Sequence, residues 1–225
     1  TKNETKEIYI KYNKDFNVRK IKKSNSVLIS VGCNKILSKQ FLKSFSFNIN
    51  YHHAELPSYR GVNSNGLSLL NNKKFTAFCF HFLGEEIDNG FVFIKKKIKI
   101  KYNILNNIFY DILKIKVMSR SIDLIFNKML DNKTKRSYKF KVSKSYYDKN
   151  YIKNLLDTPT KFNFTEIKKL IDIFGHMRIN NMNVTKIKKN KKGIRIKNGY
   201  IKILQINYMP ILLYRVYKIL NLNFK

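Results

Sequence analysis

The sequence predicts an α+β fold in two unequal parts, and three observations carry the prediction. A strand–turn–strand unit with period-two alternation fills residues 75–101. Helical periodicity takes over from Ile104. Short apolar strands return after Gly175, once two more helical patterns have passed. The expected division is a mixed strand and helix region over 1–145, a small domain of two helices and a short sheet over 146–208, and a tail over 209–225.

Each element has its own signal. Residues 7–12 and 26–31 are rich in strand formers. Residues 42–51 alternate, with Phe45, Phe47 and Ile49 on one side and Ser44, Ser46 and Asn48 on the other. Residues 63–72 read as a turn-rich loop around Gly66. Residues 75–82 form the rising arm of the hairpin, Asp88-Asn89-Gly90 the turn, and residues 91–101 the falling arm, where Ile98 and Ile100 alternate with Lys97, Lys99 and Lys101. Ile104, Leu105, Ile108, Phe109, Ile112 and Leu113 mark one helix stripe, and Ile122, Ile125, Phe126 and Met129 a second. Residues 133–144 are a basic strand or extended arm. Tyr151, Ile152, Leu155 and Leu156 give a third helix, which Thr158-Pro159 breaks. Thr165 is the expected N-cap of a fourth helix over 166–174, and Gly175 its stop. Strands follow at 177–179, 184–188 and 194–197, and Asn198-Gly199 turns the chain into 200–208.

Composition narrows the partners. Lys and Arg number 46 against 14 Asp and Glu, a formal net charge of +32. A body so charged repels itself and gains from a polyanion, most often nucleic acid. With 44% hydrophobic and 14% aromatic residues, the charge sits on a chain able to build a core. The 39 Lys and 28 Asn against 7 Arg and 2 Ala follow AT-rich codons, which suggests an organelle genome or an AT-rich nuclear one. Arg would grip phosphate better than Lys, so the bias is mutational and not chosen for binding. No secretory signal or Arg/Ser-rich transit segment is visible, and Arg215 and Lys218 interrupt the most apolar stretch, 203–220. Cys33 and Cys79 fit no zinc spacing and suggest a reducing compartment.

The run from Lys168, Lys169 and Leu170-Ile171 through Gly175-His176-Met177-Arg178-Ile179-Asn180-Asn181 is a basic helix, a Gly-His turn and an apolar–polar–apolar strand. Val184 supplies the next apolar position, and Lys186, Lys188, Lys189, Lys191, Lys192, Arg195 and Lys197 crowd the stretch after it. Over residues 147–208 this resembles the RNA-binding domain of the small-subunit ribosomal protein S-four family. The resemblance implies a structural constituent of the small ribosomal subunit, not an enzyme. Lys168, Lys169, His176, Arg178, Asn180, Asn181 and the seven basic residues of 186–197 would then meet RNA through phosphate and shape. The implied partners are ribosomal RNA and neighbouring ribosomal proteins, with no membrane, no small-molecule substrate and no cofactor, in the mitochondrion or another organelle with an AT-rich genome.

Other readings stay open. The chain could be an unrelated organellar ribosomal protein, for instance of the large subunit, an RNA-modifying enzyme carrying such a domain, or a peripheral membrane protein held by charge. His52-His53 with His81 or His176 is weighed as a metal site and set aside, since no Cys or carboxylate spacing supports it. Glu85, Glu86 and Asp88 are read as a polar hairpin tip, and Phe78, Phe80, Phe82, Phe91 and Phe93 as core more than as a base-stacking platform. No Gly-rich phosphate loop and no Ser/His/Asp cluster stands out.

Overall fold

A computed structural model describes residues 26–206, except 34–35, 72–73, 85, 102–104, 121, 136–138 and 141–145. The expected strand at 7–12 and the expected tail over 209–225 lie outside the described residues. The first sheet has the order β1-β2-β4-β5. Its strands are β1 (Val27–Val31), β2 (Phe47–His52), β4 (Phe75–Phe82) and β5 (Val92–Lys99). β1 and β2 run parallel, joined through the short helix α1 (Lys39–Leu42), whereas β2, β4 and β5 are antiparallel neighbours. A parallel pair with a helical crossover is α/β construction. This corrects the α+β expectation, because alternation within β2 says nothing about the direction of its partner.

Alternation divides the sheet's two faces. Ile49, Tyr51, Phe78, Phe80 and Phe82 enter one core with Ile125 and Met129 of α4 (Ile122–Asp131). Phe78, Phe80 and Phe82 of β4 are therefore core, with Phe91 and Phe93 packed against them, whereas Phe75 is exposed. A second core joins Leu67 and Leu69 of α2 (Ser64–Asn71) and Tyr110 of α3 (Asn107–Ser119) to α5 (Lys149–Asp157), α6 (Phe164–Phe174) and the sheet beyond them. That core holds residues from both sides of position 145.

The helix α2 stands where a loop was expected. Its propensity signal is poor, with Ser, Asn and Gly in the first turn, yet all of residues 64–69 are buried. Gly66 is what the packing requires: a Cβ there would lie 2.5 Å from Phe174 Cε1. Helix α6 begins two residues earlier than expected. Asn163, not Thr165, is its N-cap, with Glu166 closing a capping box, and Gly175 ends it at φ +82°. The second sheet has the order β7-β8-β10-β9, from β7 (Met177–Ile179), β8 (Met182–Asn190), β9 (Ile194–Ile196) and β10 (Gly199–Ile206). A two-stranded parallel ladder of β3 (Arg60–Gly61) with β6 (Tyr146–Tyr147) ties the loop after β2 to the start of α5.

Candidate active site

The antiparallel register of β2 on β4 sets Asn50 opposite His81 and His52 opposite Cys79. Since Ile49 and Tyr51 face the core, Asn50, His52 and His81 emerge together on the other face. Asp88 joins them from the loop after β4. Asn50 Nδ2 lies 3.1 Å from His81 Nε2 and donates to Asp88 Oδ1 at 3.4 Å. Asp88 Oδ1 also lies 3.5 Å from His52 Nδ1 and 3.5 Å from His81 Nε2. Two imidazoles, one amide and one carboxylate thus share a single point.

The loops on both sides are built to hold Asp88 there. Its other oxygen accepts the Gly61 N–H at 2.9 Å. Arg60, itself buried, donates from Nε and Nη2 to the carbonyl of Ile87 at 3.0 and 2.7 Å, fixing the residue just before it. Gly61 has φ +92°, and a Cβ there would come within 2.2 Å of Tyr147 O, so no other residue fits the turn that presents its N–H.

Partners assign the ring protons. His52 Nε2 is 2.6 Å from Tyr59 O, which can only accept, so Nε2 carries the hydrogen and Nδ1 the lone pair. His81 Nδ1 is 2.9 Å from Phe82 O, so its Nε2 accepts from Asn50. Burial pushes His52 down to about 4, against the opposing pull of Asp88. Burial alone would raise Asp88, but the adjacent His81 and His52 rings and the Gly61 N–H outweigh it and hold the carboxyl down at about 2. At neutral pH the site therefore holds a neutral imidazole with its Nδ1 lone pair beside an ionised carboxylate. Such a pair can take a proton from a reacting group and stabilise the imidazolium that results. Asn50 is only half-buried, which leaves the cluster reachable from the surface. Among the described residues no group of three His, Cys, Asp or Glu could hold a metal ion.

The comparisons bear on this face of the sheet. The formyl transferase family model matches residues 10–107, the stretch that contains all four residues of the cluster. The chain is 29% identical over 76 residues to GDP-perosamine N-formyltransferase of Brucella melitensis, which is 33% of this chain and 29% of that protein. It is 35% identical over 68 residues to methionyl-tRNA formyltransferase of Borrelia garinii, which is 30% of this chain and 22% of that one. The chain thus spans under a third of either relative. Among solved structures, a sugar N-formyltransferase from Shewanella superposes with a TM-score of 0.56 at 18% identity, covering 84% of this chain and 78% of that one. An N-formyltransferase from Helicobacter canadensis, in complex with folinic acid and dTDP-3-aminofucose, gives 0.50 at 20%, over 80% and 73%. The fold is that of the formyltransferases.

These findings overturn several expectations. The fold is not an S-four RNA-binding domain behind a mixed region, and the S-four resemblance falls with it. The Gly175-His176 turn and the Asn180-Asn181 corner are general punctuation: a left-handed helix stop, and two residues at φ +49° and +62° in a hairpin turn. The expectation of a ribosomal structural protein that is no enzyme, with rRNA as partner and no small-molecule substrate, is likewise overturned. The proteins that match are enzymes, and one is solved with a folate and a nucleotide sugar.

The residues expected to meet RNA lie apart from the cluster. Lys168 is exposed on α6, whereas Lys169 donates to Leu70 O at 2.5 Å. His176 is buried with Nδ1 3.3 Å from Phe174 O, and Arg178 lies 3.9 Å from Asp157. Asn180 and Asn181 form the β7–β8 turn. Lys186, Lys188 and Lys189 are exposed along β8, Lys191 and Lys192 in the following turn, Arg195 on β9 and Lys197 after it. The sequence reading missed Asn50 as a site residue and gave His52, His81 and Asp88 to a discarded metal site or a hairpin tip. The available signal was polar residues at period two, Asn50 and His52, beside one histidine inside an otherwise apolar strand.

Proposed function

We propose that this chain carries the catalytic face of an N-formyltransferase, moving a formyl group from a tetrahydrofolate carrier to a primary amine. The acceptor we assign first is an amino sugar linked to a nucleotide. The observation that carries the reading is the convergence of Asn50, His52, His81 and Asp88 on one point inside the stretch matched by the formyl transferase family. The named ligands of the Helicobacter canadensis enzyme, folinic acid and dTDP-3-aminofucose, support the donor and acceptor classes.

The chemistry follows from the geometry. The amine nitrogen attacks the formyl carbon, and the carbonyl oxygen becomes an oxyanion. An N–H of Asn50, held only loosely by Asp88 at 3.4 Å, is the donor in the cluster that can receive that charge. As the C–N bond forms, the amine nitrogen becomes strongly acidic and gives a proton to His52 Nδ1. A base of low pKa suffices, because the proton leaves a cationic nitrogen. Asp88 stabilises the imidazolium, which returns the proton to the carrier nitrogen as its bond to the formyl carbon breaks. The products are the N-formyl amine and the unformylated carrier.

The test is to incubate the protein with formyltetrahydrofolate and, separately, a dTDP- or GDP-linked amino sugar and methionyl-tRNA, and to follow the acceptor by mass spectrometry. Formylation of the nucleotide sugar supports the proposal in full. Formylation of methionyl-tRNA alone keeps the reaction and replaces the acceptor. No formylated acceptor from a folded wild-type protein overturns it.

A further inference from the structure

A second polar cluster lies on the opposite side of the sheet from the four-residue site. Its centre is Lys114 of α3, which is 0% exposed. Nζ donates to three acceptors: the backbone carbonyl of His53 at 2.5 Å, Asn65 Oδ1 at 2.5 Å and Thr76 Oγ1 at 2.9 Å. These come from the end of β2, from α2 and from β4. An ammonium has three hydrogens, so each is matched. Asp111, one turn earlier on α3, accepts from Asn65 Nδ2 at 2.8 Å and lies 2.9 Å from His53 Nδ1. Residue 53 is therefore held at both its carbonyl and its ring. Its ring also packs edge-on against Tyr51, centroids 4.8 Å apart.

A buried lysine is expensive, and a hydrophobic residue of similar volume would fill the space at less cost. The network has a position that gives it a role. His53 directly follows His52, and holding the carbonyl and the ring of His53 fixes the backbone on the C-terminal side of His52, and with it the direction in which the His52 ring leaves the strand.

We infer that Lys114 is a positioning residue for the His52 imidazole: it clamps the carbonyl of His53, and through it the placement of Nδ1 beside Asp88. The inference rests on the formyl-transfer reading for its effect on rate, but the clamp itself is independent of it. The charged and titratable groups that act on Lys114 are Asp111 on its own helix and Cys79 on β4, its bonded partners are His53 after β2 and the neutral Asn65 and Thr76, Tyr51 packs against the His53 ring, and Ser68 bonds to Thr76. Burial pushes Lys114 down to about 7, partly offset by Asp111 and Cys79. Burial raises Cys79 to about 11 and raises Tyr51 further, so both stay neutral in the working range. Above neutrality Lys114 becomes an amine with two hydrogens for three acceptors, and the clamp loosens.

The experiment compares wild type with Lys114→Met, which keeps the length of the side chain and removes its donors. Formyl transfer is measured at saturating substrates from pH 6 to 8.5. In parallel the 15N resonances of labelled histidine are recorded, with the His52 signals assigned through His52→Gln. The expected result is a kcat lower by about 10- to 100-fold at pH 6, with KM changed by less than about 3-fold. The wild-type to variant ratio should shrink as pH rises through 7. The His52 tautomer signals and titration should shift in the variant. Unchanged kcat together with unchanged His52 resonances in a folded variant overturns the inference. If wild type transfers no formyl group, the proposed function fails, and the His52 resonances alone decide the clamp. If Lys114→Met does not fold, Thr76→Val removes one acceptor at constant shape. It should move the same resonances in the same direction by less, and a folded Thr76→Val with wild-type His52 signals overturns the inference.

Discussion

At the scale of single residues, the site separates two kinds of charge. His52 is kept neutral by burial and Asp88 is kept ionised by its donors, so the pair is poised to share a proton in one direction. Removing either function should cost catalysis more than binding. His52→Gln and Asp88→Asn are each expected to lower kcat by about 10²- to 10⁴-fold with KM little changed, read from steady-state formyl transfer. The same residues make the fold sensitive to acid. His52 titrates near 4 in the fold and near 6.5 in the unfolded chain, so the unfolded state takes up the proton first as pH falls. Stability should therefore decline between about pH 6.5 and 4, by roughly 3 kcal/mol from this group. Asp88, held down at about 2, adds a further loss between its unfolded value of about 4 and 2. Thermal melts across this range should show both windows in wild type, and His52→Gln should flatten the upper one.

At the scale of elements, two positions fix how the helices meet the sheet. Gly66→Ala would drive a Cβ to 2.5 Å from the Phe174 ring, where α2 crosses α6. We expect a loss of about 1–3 kcal/mol by denaturant unfolding, because the ring has packed neighbours behind it. Asn163→Ala removes the side-chain half of the capping box, in which Asn163 Oδ1 accepts the Glu166 N–H at 3.0 Å, and should cost about 1 kcal/mol. These elements also show where reading the sequence succeeds. Helices α3, α4, α5 and α6 and strands β4, β5 and β7 to β10 lie close to where period and turn residues put them. Their cues are local, such as the Gly175 stop and the Asn198-Gly199 turn. Local propensity points to a loop at helix α2 because its reason to exist, the close approach of Gly66 to Phe174, joins residues far apart in the chain. The site was missed for the same reason. Asn50, His81 and Asp88 become neighbours only through the register of β2 on β4 and the Arg60 bond to Ile87. The S-four resemblance, in contrast, was built from local turn residues that many folds share.

At the scale of the whole molecule, the net charge of +32 has consequences apart from the site. Like charges on one compact body oppose folding, and salt screens them over about 10 Å at 0.1 M. Raising ionic strength from about 10 to about 200 mM should raise the thermal midpoint, as followed by circular dichroism. A fall would mean that attractive pairs such as Lys95–Glu55, 2.8 Å apart, outweigh the repulsion. The ladder of β3 on β6 and the core shared by α2, α5 and α6 join the part that carries the site to the second sheet. The most direct test of the central claim is a single-turnover transfer with a labelled formyl group on the tetrahydrofolate carrier, comparing wild type with Asp88→Asn at neutral pH. The account predicts that the label moves to the acceptor amine in wild type and that the variant, folded, moves it at least about 100-fold more slowly. Equal rates in the two proteins would contradict it.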